Sequence, residues 1–323
     1  MFLRYFVFSM KQDSKITIIG YENRYKQTWD NFIALSKNST FLFKRDFMEY
    51  HQDRFVDESL LFYLNDALVA VFPANRNNTT IYSHQGLTYG GLIIGNNVRF
   101  SVYKLLFNCL MEHFKANGVT DIYIKPIPSL YGEQANDELQ FLSQFYNSKV
   151  EHNIGSVIFQ NDRKVISKSI IRNSNKALRN GITIKPTDDF NFFWNNLLEP
   201  RLLSKFNKKP IHSLDEILRL KKLFPDHIQL IGAFLNDIMI AGTILFVNKN
   251  YLKSQYIAGN KEYNSLGGLD LLHLHIIENL DRHYFDFGTS SLDSSVNENE
   301  KLLAWKEQFG ARTIIFSTYH FKL

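Results

Sequence analysis

Four stretches of this chain combine residue types and spacing that could do chemistry. His212 stands in Pro210-Ile211-His212-Ser213, a loop just before a helix start. There an imidazole can turn into a cleft as a general base, or sit at the surface as an ordinary loop histidine. Asp286 lies inside the aromatic strand Tyr284-Phe285-Asp286-Phe287-Gly288, where it either binds or deprotonates an amine or satisfies a backbone turn; Ser290 and Ser291 follow and could orient substrate hydroxyls. The stretch Tyr251–Ile277 reads as strand, loop, Gly267-Gly268 and helix. A glycine-flanked helix N-terminus offers unpaired N–H groups to a phosphate or pyrophosphate, unless the glycines only make the turn. Finally, a helix expected over Arg163–Asn180 carries Arg163, Lys164, Lys168, Arg172, Lys176 and Arg179 with no acid among them. Lys164, Lys168, Arg172 and Lys176 recur at i+4 and line one face, which either lies along an anionic substrate, with Arg172 and Lys176 as its contacts, or is solvated.

Other chemistries find little to work with. The sole cysteine, Cys109, sits in an apolar helical pattern, so neither a disulfide framework nor a thiolate metal site is expected. His273 and His275 are two apart and on different faces of their helix, so no metal is expected. There is no G-x-S-x-G stretch and no Ser-His-Asp order, which leaves hydrolase readings unsupported.

The elements that must position these residues follow from periodicity. Strands are expected at 16–19, 59–64, 67–73, 80–84, 121–125, 156–160, 182–185, 228–235, 238–247, 251–257, 284–287 and 313–320. Helices are expected over 25–36, 45–51, 98–116, 136–146, 163–180, 190–206, from Ser213, from Gly268, and over 298–309; Ser213 with Glu216 forms a capping box. Chain length allows two domains of ordinary size, and 45% hydrophobic with 21% charged residues excludes a disordered chain. The net charge of +5 fits one groove for an anion or a lysine-rich surface. The N-terminal MFLRYFVFSM is interrupted by Arg4 and lacks a cleavage site, and no stretch approaches the roughly 18 apolar residues of a membrane span. A cytoplasmic protein is expected, with peripheral membrane contact through the N-terminal aromatics left open.

An internal repeat organises the chain. Leu64-Asn65-Asp66-Ala67-Leu68-Val69-Ala70 matches Leu235-Asn236-Asp237-Ile238-Met239-Ile240-Ala241. Each hairpin is followed by a strand, a Gly-Gly-Leu turn (Gly90-Gly91-Leu92 and Gly267-Gly268-Leu269), an apolar helix and another strand, so the chain reads as two copies of one α/β unit, 1–150 and 151–323, each built on a mixed, mostly antiparallel sheet flanked by helices.

This order resembles the GNAT N-acetyltransferase fold, and two units in tandem resemble the FemAB-like acyltransferases, which include peptidoglycan bridge-forming aminoacyl transferases. The resemblance spans Ile16 to Leu323 and is carried by Ser83–Leu92, Ile171–Ile182, Pro210–Ile217, Tyr284–Ser291 and Trp305–Arg312. It implies an N-acyltransferase with an acyl-CoA donor, acetyl-CoA first, acting on an amino group of a sugar or a lipid-linked or peptidoglycan-type cell-envelope precursor. Asn264, Ser265, Gly267 and Gly268 would form the cofactor loop, with Asn264 where the family has Gln or Arg. Lys306 of Trp305-Lys306-Glu307-Gln308-Phe309-Gly310 matches a lysine at the catalytic end of the bridge-forming enzymes, with Trp305 in place of Phe. Acyl transfer of this kind needs a base, for which His212 and Asp286 are the candidates; Tyr89 and Tyr256 would line the cleft. Aminoacyl-tRNA as donor, or a non-catalytic nucleotide-sugar binding protein, are the alternatives; DNA is not an expected partner.

Overall fold

The computed structural model describes residues 7–10, 14–290 and 300–323; Ser291 and the first six residues of the N-terminal aromatic run lie outside them. The chain divides into two units, one comprising residues up to His152 together with Phe316–Leu323, the other Asn153–Ile315. The division falls close to position 150, but the end of the chain returns to the first unit.

The first unit contains β1 (Val7–Met10), β2 (Ser14–Gly20), α1 (Lys26–Leu35), the short α2 (Arg45–Met48), β3 (Val56–Asp57), β4 (Leu60–Leu64), β5 (Ala67–Phe72), β6 (Asn75–Asn77), β7 (Thr80–Tyr82), β8 (Ile93–Ile94), α3 (Phe100–Ala116), β9 (Asp121–Ile124), α4 (Glu138–Ser143) and the start of β10 (Ser148–Phe159). Strands β1, β2, β4, β5 and β8 form one antiparallel sheet. Its inner residues, among them Phe62 and Phe72, pack with Phe107, Leu110 and Phe114 of α3 to make the core. Cys109 is in this core, and burial pushes its thiol up to about 11, so it is no nucleophile.

The second unit contains the end of β10, α5 (Lys168–Arg179), β11 (Thr183–Thr187), α6 (Phe190–Phe192) running through a π-helical turn (Phe193–Leu198) into α7 (Glu199–Phe206), α8 (Leu214–Leu223), β12 (Ile228–Leu235), β13 (Ile238–Val247), β14 (Tyr251–Gly259), α9 (Gly268–Glu278), β15 (Tyr284–Thr289), α10 (Glu300–Glu307) and the start of β16 (Arg312–Lys322). Its sheet runs β11-β12-β13-β14-β15-β10, antiparallel except where β14 meets β15. The π turn ends at Leu198, two residues before Pro200, whose ring would otherwise strike a carbonyl of the preceding turn.

The repeat is visible in the registers. Both hairpins turn on Asn-Asp pairs with positive φ, 48° and 67° at Asn65-Asp66, 48° and 63° at Asn236-Asp237. Such two-residue turns match the twist of the flanking strands. Each hairpin then bulges at the same step, leaving Val69 and Ile240 unpaired between Leu68 and Ala70 and between Met239 and Ala241. Beyond that point the copies differ. Ala241 pairs with Gly259 of the continuous β14, whereas Ala70 pairs with Ile94 of β8, which is separated from β7 by the loop 83–92. Gly90 and Gly91 lie in that loop, with Gly90 bridged to Pro126, and α3 begins only at Phe100. They are therefore not the counterpart of Gly267-Gly268, contrary to the alignment by sequence. Two helices are also shorter than periodicity implied. The segment 136–146 is helical only in α4, and α5 starts at Lys168 because the Ser167 hydroxyl accepts from Ile170 N–H as its N-cap. Lys164 is thus off the helix, paired with Asp162 at 2.7 Å, and the expected i+4 row begins at Lys168.

Candidate active site

The site is made by two strands that start together and separate. β14 and β15 pair in parallel only through Tyr251–Tyr284, Leu252–Phe285 and Lys253–Asp286. β14 then bulges at Gln255, between Ser254 and Tyr256. β15 bulges against β10 between Asp286 and Thr289, with Gly288 at φ 73°. A bulge twists a strand and re-aims its side chains. Two of them on facing strands open a wedge, and that wedge is a cavity of about 660 Å³, closed by the π turn and α7, the 264–268 loop and α10. Its size is that of a small-molecule site.

The end of β15 is held by buried charge. Asp286 is 0% exposed; one carboxylate oxygen pairs with Lys253 Nζ at 3.0 Å and the other accepts the Gly288 N–H at 2.6 Å. Lys306, 1% exposed, reaches from α10 into the freed backbone and donates to Gly288 O (2.8 Å), Thr289 O (2.9 Å) and Ser290 Oγ (3.0 Å). All three ammonium donors have acceptors, the condition for burying such a group. Burial lowers its pKa to about 8; Asp286 opposes that shift and Lys253 adds to it. Lys306 also lines the cavity.

Tyr256 lines the same cavity, immediately after the β14 bulge, and burial raises its phenol to about 12. Its Oη is 2.6 Å from His212 Nδ1 and accepts from the His212 backbone N–H at 3.3 Å. His212 is buried behind Tyr256 and is not among the residues lining the cavity. It meets the cavity through the tyrosine hydroxyl.

The mouth carries charge that the sequence reading passed over. Arg201 and Lys205 from α7 and Lys301 from α10 line the cavity together, and burial followed by the charges of Arg201 and Lys301 lowers the Lys205 pKa. The i, i+4 spacing of Arg201 and Lys205 in Glu199–Phe206 was the available signal. Asp270 was also missed. It sits in the first turn of α9, lines the cavity, and accepts from Trp305 Nε1 (2.8 Å) and Asn173 Nδ2 (2.8 Å).

The remaining candidates divide between this cavity and other places. Asn264, Gly267, Gly268 and Trp305 line it. Gly267, at φ 82°, is needed for close packing: a Cβ there would lie 2.5 Å from Asn173 O of α5. Ser265 is not at the cavity; its carbonyl accepts from Lys176 Nζ at 2.8 Å, which fastens the loop to α5. Arg172 lines a separate exposed groove on α5 with Lys168 and Arg179. Ser290 is buried as the Lys306 acceptor. Tyr89 belongs to the first unit, buried and stacked on Phe316. Buried His273 packs against Phe287 and Trp305 while its Nδ1 meets Leu269 O at 2.9 Å; His275 is exposed on another face. Among the described residues no group of His, Cys, Asp and Glu could hold a metal ion, and no helix is long and apolar enough to cross a membrane.

No family model and no curated protein sequence matches the chain. Solved structures do. FemX is similar over 95% of this chain and 97% of its own, with TM-score 0.67 at 12% identity. A conserved protein of unknown function from Bacteroides thetaiotaomicron is similar over 95% and 99%, with TM-score 0.59 at 9% identity. L-PGS from Bacillus licheniformis is similar over 79% and 81%, with TM-score 0.54 at 9% identity. The chain therefore has the fold of FemX, a mixed α/β fold with mixed sheets flanked by helices, as its sequence motifs imply.

Proposed function

We propose that the protein is an acyltransferase that passes an acyl group from a phosphate-bearing donor to an amine, working in the cavity between β14 and β15. The observation that carries this reading is the pairing, across one cavity, of a neutral phenol, Tyr256, with a buried lysine, Lys306, under a mouth bearing Arg201, Lys205 and Lys301. Transfer to an amine needs a donor for the developing oxyanion and an acid for the leaving group. With its proton on Nδ1, His212 donates to Tyr256 Oη, as does its backbone N–H, and the phenol proton is left to point at a carbonyl in the cavity. A phenol at about 12 is a poor acid for a thiolate leaving group of pKa about 8.5. Lys306, at about 8, matches it, and the neutral amine left once it has protonated the leaving group takes the proton shed by the acceptor nitrogen. Lys253 and Asp286 hold the backbone that Lys306 binds.

The acceptor in this reading is an amino group of a sugar or lipid-linked cell-envelope precursor, and acetyl-CoA is the first donor to test. Asp270 favours a second donor. Its carboxylate occupies the first turn of α9, where a pyrophosphate would otherwise find a positive helix end. The anionic part of the donor then belongs at Arg201, Lys205 and Lys301, which suits aminoacyl-tRNA as well as a coenzyme. The testing experiment offers labelled acetyl-CoA and labelled aminoacyl-tRNA, separately, to a panel of amino sugars and lipid-linked amines. Label in an amide product, lost in Lys306→Met, supports the proposal and its donor identifies the branch. No amide product from either donor overturns it.

A further inference from the structure

One face of α5 is spent on the fold. Ile170 and Ala177 are buried in the core shared with Leu271, Leu272 and Ile276 of α9, Asn173 donates to Asp270 (2.8 Å), and Lys176 fastens the 264–268 loop. The outer face holds an open groove of about 360 Å³ lined by Ile166, Lys168, Ile171, Arg172, Asn175 and Arg179. Lys168, Arg172 and Arg179 stand at i, i+4 and i+11, which puts them on one stripe of the helix. Among the described residues none of these three cations has an ion pair or a side-chain hydrogen bond. Residues 163–180 contain no acid, and the neighbouring Asp162 is already paired with Lys164. Three unpaired like charges held along one groove repel one another, so this face gains from an anionic surface laid against it.

The side chains beside the cations say what kind of surface. Ile171 and Leu178, seven residues apart, make an apolar stripe next to the basic one and are 40% and 56% exposed. Val165, adjoining Ile166 at the entry to α5, is 94% exposed, more than any other large hydrophobic among the described residues. A nucleic-acid backbone would neutralise the cations but leave these apolar side chains in water. The headgroup region of an anionic bilayer takes both, phosphates against lysine and arginine and apolar side chains down to the acyl boundary.

We infer that the outer face of α5, together with Val165, is a docking surface for an anionic lipid bilayer. None of its residues lines the cavity between β14 and β15, so the inference stands without the transfer reaction.

The test sediments the full chain with vesicles of phosphatidylcholine alone and of phosphatidylcholine mixed with phosphatidylglycerol, at low and high salt, with tRNA as the competing polyanion. The mixed vesicles should bind the chain and the neutral ones bind it far less. Arg172→Ala with Arg179→Ala should weaken that binding roughly twentyfold, about fivefold per cation, and the loss should shrink at high salt. Ile171→Ser with Leu178→Ser should weaken it about tenfold at both salt concentrations. Lys208→Ala with Lys209→Ala removes the same charge from another exposed stretch of the second unit and should change nothing. All the substituted side chains are exposed, and thermal melts check that each variant stays folded. The inference is overturned by equal binding to the two kinds of vesicle or to neither, by an equal loss in the Lys208 and Lys209 variant, or by tRNA binding that needs Arg172 and Arg179 while vesicle binding is indifferent to Ile171 and Leu178.

Discussion

Replacing Asp286 by Asn separates two roles for this carboxylate. As a base in contact with substrate, it could be exchanged for its isostere with loss of activity and little loss of stability. Its surroundings require the opposite. Asp286 is fully buried, Lys253 beside it has a side chain only 9% exposed, and they meet at 3.0 Å. Removing one charge of a buried pair costs about 3–5 kcal/mol, because the other stays behind in a low-dielectric site. Asn still offers an oxygen to the Gly288 N–H, so the lower end applies, about 3 kcal/mol. With a urea slope near 2 kcal/mol/M, the midpoint should fall by about 1.5 M. Two of the three tryptophans, Trp194 and Trp305, lie in the second unit and Trp29 in the first, so the fluorescence change is compared with that of Trp305→Phe to pick out the second unit's transition. The pair Lys253→Met with Asp286→Leu should restore most of the loss, as buried pairs replaced by apolar residues of similar volume often do. A stability within about 0.5 kcal/mol of wild type in Asp286→Asn, with transfer abolished, would refute the reasoning and make Asp286 a base.

Three further outcomes follow from the same geometry. Burial lowers Lys306 from 10.5 to about 8, so the ammonium is lost as pH rises through about 8, and the transfer rate of the wild-type chain should show a falling limb there. The burial penalty for that charge is fully present below pH 8 and fades between 8 and 10.5, so this group makes stability rise over that window. Tyr256→Phe should reduce kcat by roughly a hundredfold while leaving donor affinity nearly unchanged, the signature of a lost oxyanion donor. Gly267→Ala should destabilise the second unit by about 2–3 kcal/mol in urea titrations, because φ 82° and the Asn173 carbonyl both oppose a Cβ; Gly118→Ala, at φ 74° in open space, should cost about 1 kcal/mol.

What could be read from the sequence was what is local. The Asn-Asp hairpin turns, the Ser213–Glu216 capping box (3.2 and 2.7 Å) and the strand-loop-helix entry to α9 are set by neighbours in sequence, and the structure has them all. Ser167 misled the reading of α5 because it stands inside a run with good helical periodicity, where a cap competes with propagation. The wedge between β14 and β15 was hidden, since it arises from where two strands stop pairing, a matter of register rather than residue type. The Tyr256–His212 contact joins residues 44 apart, and Lys306 reaches three acceptors across 16 to 18 residues. Neither leaves a local trace. The glycine loop was legible as a turn, but the carboxylate of Asp270 one turn on changes what that helix end can hold.

The most direct test of the central claim is calorimetric titration of acetyl-CoA and of aminoacyl-tRNA into the wild-type chain and into Arg201→Glu combined with Lys205→Glu, at low and high salt. The account predicts that one donor binds, that its affinity drops by more than about tenfold in the doubly reversed variant, and that the drop shrinks at high salt, where screening weakens the lost attraction. Failure of both donors to bind the wild-type chain, or equal affinity in the two proteins, would contradict it.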